Sequence, residues 1–213
     1  GENLYAIQNA QNLGQTMVAL VQQDQKVDDP KPSDFMPIGV EIAVGKLLNM
    51  PDGNNSALVQ GRRRVEILEF TQVDPYFRVR VRPLDEPVNV DRQTDALMRT
   101  TRDLFEKCVS LDRSLPEEAH LFSININEPG WLSDMVATAI SLPFSERQAL
   151  LMLPDPQDRL RQINWLLAQE LDVLQLEDEI QTRVQSEVDR SQREFYLREQ
   201  MKKRDGLSSQ RLR

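Results

Sequence analysis

Tyr76-Phe77-Arg78-Val79-Arg80-Val81-Arg82-Pro83-Leu84 alternates apolar and cationic side chains, and from Asp91 onward the period of the apolar residues changes. In the first stretch Phe77, Val79 and Val81 point one way and Arg78, Arg80 and Arg82 the other. That is the pattern of a strand with one dry and one wet face. In the second, Ala96, Leu97, Thr100, Leu104 and Cys108 recur at three- and four-residue spacing and mark one face of a helix. The switch, near residue 86, divides the chain into strands before and helices after. The fold class it predicts is α+β.

Toward the N-terminus the β pattern continues. Arg64 to Phe70 largely alternates, and Pro51-Asp52-Gly53-Asn54 is a hairpin turn, because Asp-Gly supplies the positive φ angles a tight turn needs. It joins a strand over Ile38 to Met50, with a bulge at Gly39 or Gly45, to a returning strand at Ala57 to Gly61. Met17 to Val21 reads as a buried strand, residues 3–13 as a short helix, and Asp28 to Asp34 as a proline-rich loop. These spacings predict a small, mostly antiparallel β domain over residues 1–86.

Toward the C-terminus helices are expected at Pro116 to Ile124, Trp131 to Ile140, 145–153 and 156–172, with Ser145 and Asp155 as N-caps. They make a helical bundle over 87–173. A third unit, 174–213, holds the longest stretch, Leu174 to Arg204, which has no Gly or Pro and would extend about 45 Å. Leu176, Ile180, Val184 and Val188 form an apolar stripe that Phe195, Tyr196 and Met201 extend, a face for another subunit or domain. Gly206 is the expected helix stop.

The net charge of −8 disfavours nucleic acid and anionic membrane as partners, since both carry the same sign. No stretch is apolar for long enough to span a membrane. Cys108 is the single cysteine, so no intrachain disulfide is possible, which fits a reducing interior such as the cytosol. Catalytic motifs are missing: there is no phosphate-cradling Gly-rich loop ending in Gly-Lys-Ser/Thr, and His120 is the only histidine. His120 reads as a partly exposed helix residue and Cys108 as core. One His and one Cys cannot build a zinc site, and the Asp28, Asp29, Asp34 spacing matches no calcium loop, so no metal or cofactor is expected in this chain.

One apolar group points to binding. Phe35, Met36 and Pro37 beside the proline-rich loop, with Leu48, Met50 and Pro51 near the hairpin, could present a surface to exposed hydrophobic polypeptide. Their other reading is burial against the first helix.

Several runs resemble one family. Lys46-Leu47-Leu48-Asn49-Met50-Pro51-Asp52-Gly53 and Ala57-Leu58-Val59-Gln60-Gly61-Arg62-Arg63-Arg64-Val65 are similar to the N-terminal hairpin of ATP-dependent Lon proteases, with Met50 where leucine is usual. Glu128-Pro129-Gly130-Trp131-Leu132-Ser133-Asp134 resembles a helix start of that family. Ser191-Gln192-Arg193-Glu194-Phe195-Tyr196-Leu197-Arg198-Glu199-Gln200-Met201 resembles the helix leading to its ATPase module, and Asp158-Arg159-Leu160 falls in register. The resemblance spans about residues 1–202. It implies a PUA-like β domain, a bundle and an extended helix that precede an AAA+ ATPase and a Ser–Lys protease domain in a hexamer. It also implies unfolded or damaged polypeptides as substrates, self-association within the hexamer, ATP and Mg only in the ATPase module, and the bacterial cytoplasm rather than the mitochondrial matrix. Two departures stand out: the usual first strand is not represented, which would expose a sheet edge, and residues 202–213 leave the pattern. The competing readings are a stand-alone PUA-like module for a small ligand or RNA, and a helical oligomerisation scaffold.

Overall fold

The computed structural model describes residues 2–14, 16–49, 55–87, 90–112 and 114–210. Helix α1 (Glu2–Leu13) leads into a four-stranded antiparallel sheet of β1 (Met17–Ala19), β2 (Ile38–Asn49), β3 (Asn55–Gln72) and β4 (Arg78–Pro83), in that spatial order. The two runs read as separate strands at 57–61 and 64–70 are a single 18-residue strand, β3. It stays continuous because Arg62 is absorbed as an extra residue: Glu41 pairs with Arg63 and Ile42 with Gly61. The Asp52-Gly53 turn lies outside the described residues, but β2 and β3 pair up to Asn49 and Asn55, on either side of it.

Two local expectations are sharpened. The β2 bulge falls between Val44 and Leu47, so Gly45 takes part and Gly39 does not. Gly39 is instead a place of close approach, where a Cβ would stand 2.8 Å from the Ala19 carbonyl oxygen. The segment read as a buried strand, Met17–Val21, pairs only over Met17–Ala19 and is half-buried, because β1 is an edge strand with one neighbour. On β4 the alternation holds: Val79 and Val81 are half-buried while Arg78, Arg80 and Arg82 are exposed. Arg80 pairs with Glu69 and Arg82 with Glu66, each directly across the ladder on β3. The arginine face is a wet sheet face lined with cross-strand ion pairs.

Helices α2 (Arg92–Leu111), α3 (Glu117–Ile124), α4 (Pro129–Ala139), α5 (Phe144–Leu151) and α6 (Pro156–Gln210) follow. The Asp91 side chain caps α2 by accepting from the Thr94 N–H at 2.7 Å, and this holds its carboxyl below the usual carboxylate range. The Asp155 side chain accepts from the Gln157 N–H at 2.8 Å and opens α6 as expected. Ser145 is not a cap: α5 starts one residue earlier, with Pro143 in the cap position. The buried face of α2 is Thr94, Met98, Thr101, Phe105, Cys108 and Val109, with Leu97 and Leu104 of the expected face packed at its edge. Thr100 of that reading is exposed, while Thr101 is buried with its hydroxyl shared between Leu97 O and Asn164 Oδ1, each at 2.8 Å.

The main core lies in the helices. Phe105 and Cys108 of α2, Leu132 and Val136 of α4, and Leu160, Ile163 and Leu167 of α6 are all but fully buried in one cluster. The two helices read at 156–172 and from Leu174 are one 55-residue helix, α6. Nothing between Asp172 and Gln175 breaks it, since no Gly, Pro or capping turn intervenes. Its first five turns pack on α2 and α4 up to Leu174, and from Gln175 to Arg198 every residue is exposed. Gly206 does not stop the helix, which runs on to Gln210. The apolar stripe of Leu176, Ile180, Val184, Val188, Phe195, Tyr196 and Met201 stands in solvent.

Candidate functional site

Phe35 sits where a short 3-10 turn (Pro32–Asp34) hands the chain to β2. Its ring stacks on Phe70 of β3 at 5.8 Å between centroids and meets Phe77 edge-on at 5.2 Å, while Phe70 and Phe77 are 5.6 Å apart. Offset and edge-to-face arrangements at these separations are the favoured ones for aromatic pairs. The three rings close one end of the sheet, so the packing of Phe35 is against β3 and the residue before β4. The Met36 N–H donates to Val21 O at 2.7 Å, and the Ile67 N–H donates to Pro37 O at 2.8 Å. Phe35 and Met36 are half-buried and Pro37 is exposed. Leu48 belongs to β2 by its backbone pairing with Ser56, while Met50 and Pro51 lie outside the described residues. Helix α1 is held over the same sheet by Tyr5 packing edge-on to Tyr76 at 5.8 Å and by Asn9 Nδ2 donating to the Tyr76 hydroxyl at 2.8 Å.

A second constellation joins sheet to helices. Arg64, at the buried middle of β3, makes a two-pronged bond to Asp134 of α4, with Nη1 and Nη2 each 2.8 Å from a carboxylate oxygen. Its Nε donates to Leu151 O at 3.1 Å. Arg159 of α6, fully buried, pairs with Glu86 in the segment after β4 and donates to Leu153 O at 2.8 Å and Pro154 O at 3.0 Å. Its Nε reaches Ser133 Oγ at 3.2 Å and Asp134 Oδ1 at 3.4 Å, and Glu86 is also 3.6 Å from Arg64. Two guanidiniums and two carboxylates thus fasten three elements in a forked geometry that lysine could not reproduce. Gly130 leaves room for them: a Cβ there would fall on the Glu86 carboxylate and stand 2.7 Å from Arg159 Nη2.

This joint was hidden in plain sight. Arg64, Gly130, Ser133, Asp134 and Arg159 all stand in the runs that resemble the Lon family, yet as a sequence they read only as register marks. Glu86 carried no signal. A second polar tie, Gln148 Nε2 donating to Gln22 O at 2.6 Å, fixes α5 to the segment after β1.

Residues with chemistry lie elsewhere. His120 Nε2 is 3.7 Å from Glu106 Oε1, on the flank of α3. Cys108 is sealed in the helical core, its thiol donating to Leu167 O at 3.6 Å, and burial pushes its pKa up to about 11. A thiol this far from ionising is packing, not a nucleophile. Among the described residues no cluster of three or more His, Cys, Asp or Glu could hold a metal ion, and no helix is long and apolar enough to cross a membrane.

A thin antiparallel sheet clamped to a helical bundle through the ion pairs of two buried arginines, with a helix running out of it, defines the class. The chain belongs to the ATP-dependent protease La (LON) substrate-binding domain family, whose model matches residues 2–169. It is 36% identical over 200 residues to Lon protease 2 of Herpetosiphon aurantiacus, covering 94% of this chain and 24% of that protein. It is 38% identical over 191 residues to the Lon protease of Trichlorobacter lovleyi, covering 89% and 23%. The chain therefore spans about a quarter of the length of the curated relatives it matches. Among solved structures it is similar to the N-terminal domain of the Mycobacterium avium complex Lon protease, with a TM-score of 0.56 and 18% identity over 74% of this chain and 90% of that one. That likeness shows the fold.

Proposed function

We propose that the chain is the N-terminal, non-catalytic region of an ATP-dependent Lon protease, that it binds unfolded or damaged polypeptide, and that it supports assembly of a hexamer. The observation that carries this is the family match over residues 2–169, a family described as substrate-binding. ATP hydrolysis and Ser–Lys peptide cleavage would belong to the remainder of such a protein. The division of labour we propose assigns capture to the β domain, residues 1–86, with the bundle, 87–173, as its support. The long helix from 174 onward is the lever toward the motor.

Phe35, Met36 and Pro37 support a capture surface at the closed end of the sheet, and the exposed Phe195, Tyr196 and Met201 support a contact for a neighbouring subunit or domain. Weak single contacts suffice for capture, because several copies in one assembly raise the effective concentration of sites around one substrate. The cytoplasm of a bacterium is the proposed setting.

The test is to delete this region from the full-length enzyme and follow degradation of an unfolded model protein and of a short peptide. Degradation of the protein should slow steeply while peptide hydrolysis in assembled enzyme persists. Unchanged protein degradation would refute the proposal.

A further inference from the structure

Helices α3 and α4 carry an apolar patch that the sheet does not share. Leu121, Phe122 and Ile124 of α3 and Trp131 of α4 are each about half exposed or more. The rings of Phe122 and Trp131 meet edge-on at 5.8 Å, so the two helices contribute to one continuous surface. The buried side of α3 is taken by Ser123, with Ala119 packed on the core, which leaves Leu121 and Phe122 outward.

Among the described residues of α3 and α4 the carboxylates are the only charged side chains of fixed sign. Glu117 stands one turn before Leu121, Glu118 one turn before Phe122, and Glu128 one turn before Trp131. Residues one turn apart share a helix face. None of these three carboxylates makes an ion pair or a side-chain hydrogen bond among the described residues, and Glu128, which holds the N-cap position of α4, makes no capping bond with its side chain. No lysine or arginine occurs between Ser114 and Glu146. Arg102, which reaches across from α2, spends its guanidinium on the carbonyls of Ser123 at 3.4 Å and Ile126 at 2.6 Å.

We infer that α3 and α4 form a second polypeptide-binding surface, selective for unfolded segments in which aromatic or aliphatic residues are flanked by lysine or arginine. The inference rests on the substrate-binding reading and adds to it a place and a preference. Apolar side chains of the segment lie on Phe122 and Trp131, and its cations meet the carboxylates of Glu117, Glu118 and Glu128. Lysine and arginine stems also cover apolar surface while their charged heads remain wet, which suits a patch with an acidic edge. Exposed pairs of this kind are each weak, so three of them give a preference of roughly three- to tenfold, weaker at high salt.

The test uses the whole chain and three dye-labelled peptides with the same aromatic residues, flanked by lysine, serine or glutamate, titrated by anisotropy at low and high salt. A Trp165→Phe background leaves Trp131 as the fluorescent reporter. The lysine peptide should bind most tightly and shift the Trp131 emission. Glu117→Gln with Glu118→Gln and Glu128→Gln should bring the affinity for the lysine peptide down to that for the serine peptide. Phe122→Ser with Trp131→Ser should weaken all three peptides, with circular dichroism showing the fold intact. If the chain binds unfolded protein but shows no charge preference and no response at Trp131, the inference fails and the substrate-binding reading stands. If it binds no unfolded polypeptide at all, both fail. If Phe122→Ser with Trp131→Ser changes sedimentation of the chain and not peptide binding, the patch is a contact between copies and the inference is overturned.

Discussion

Arg159 is the residue on which most of the sheet-to-helix joint converges. Arg159→Met would keep its bulk and leave the Glu86 carboxylate, Ser133 Oγ and two carbonyls without their donor. The carboxylates left behind are partly solvated, so the loss is set by the buried carbonyls and hydroxyl and costs about 1–3 kcal/mol, which a urea titration would read as a drop in midpoint. Gly130→Ala should cost about 1–3 kcal/mol, because a methyl there must displace a carboxylate that Arg159 holds in place. Cys108 makes a prediction about pH. Its thiol ionises only near 11 in the folded chain, above its ordinary value of 9.0, so folding favours the protonated form. That contribution is fully present below pH 9 and is lost as the pH rises toward 11. The urea midpoint of the native chain should therefore fall more steeply over that interval than that of Cys108→Ala, and iodoacetamide should label Cys108 only as the chain unfolds. Cys108 as a core residue was legible from its place on an apolar helix face. The joint was not, because charged residues in a sequence read first as surface, and only the fold brings Arg64, Asp134 and Arg159 together across 95 residues.

Helix α2 shows why the buried face of an element can be misread when its type is not. Leu97 and Leu104 do pack on the core, but its buried centre also takes Thr94, whose hydroxyl donates to the capping Asp91, and Thr101, whose hydroxyl meets Asn164. A buried threonine with its hydroxyl satisfied is nearly as good a core residue as valine, and periodicity of apolar residues alone cannot see it. Helix α6 shows the opposite. Its stripe was plain in the four-residue recurrence from Leu176, and what the sequence missed is that no break separates it from the bundle helix and that Gly206 does not end it. With the stripe exposed, the far part of α6 has little tertiary support, and most helical stability in proteins comes from packing of such a face. Amide exchange should therefore be fast beyond about Gln175 in a dilute chain and slow before Leu174. If the stripe joins copies, exchange there should slow as concentration rises. Ile180→Glu with Val184→Glu should abolish that dependence and any self-association seen by sedimentation, without changing the urea midpoint.

At the scale of the molecule, the sheet and the bundle have separate interiors and are held together chiefly by polar ties. Among the described residues the sheet contributes only Val65 to the fully buried apolar set, while the bundle holds the main cluster. Arg64→Leu and Asp134→Leu, singly and together, should show a coupling energy of about 0.5–3 kcal/mol, and the doubly changed chain should melt in two steps where the native chain melts in one. The α+β class and the order of parts were readable from one change of period near residue 86. Which apolar residues are exposed was not, because a lone sequence cannot distinguish Phe105, sealed in the bundle core, from Phe122, which faces water. The central claim is that this chain binds unfolded polypeptide by itself, without the rest of a protease. Titrating a labelled, permanently unfolded model protein with the chain, against the same protein in its native form, tests it most directly. Saturable, reversible binding of the unfolded form alone is the expected result, and equal or absent binding of the two forms would contradict the claim.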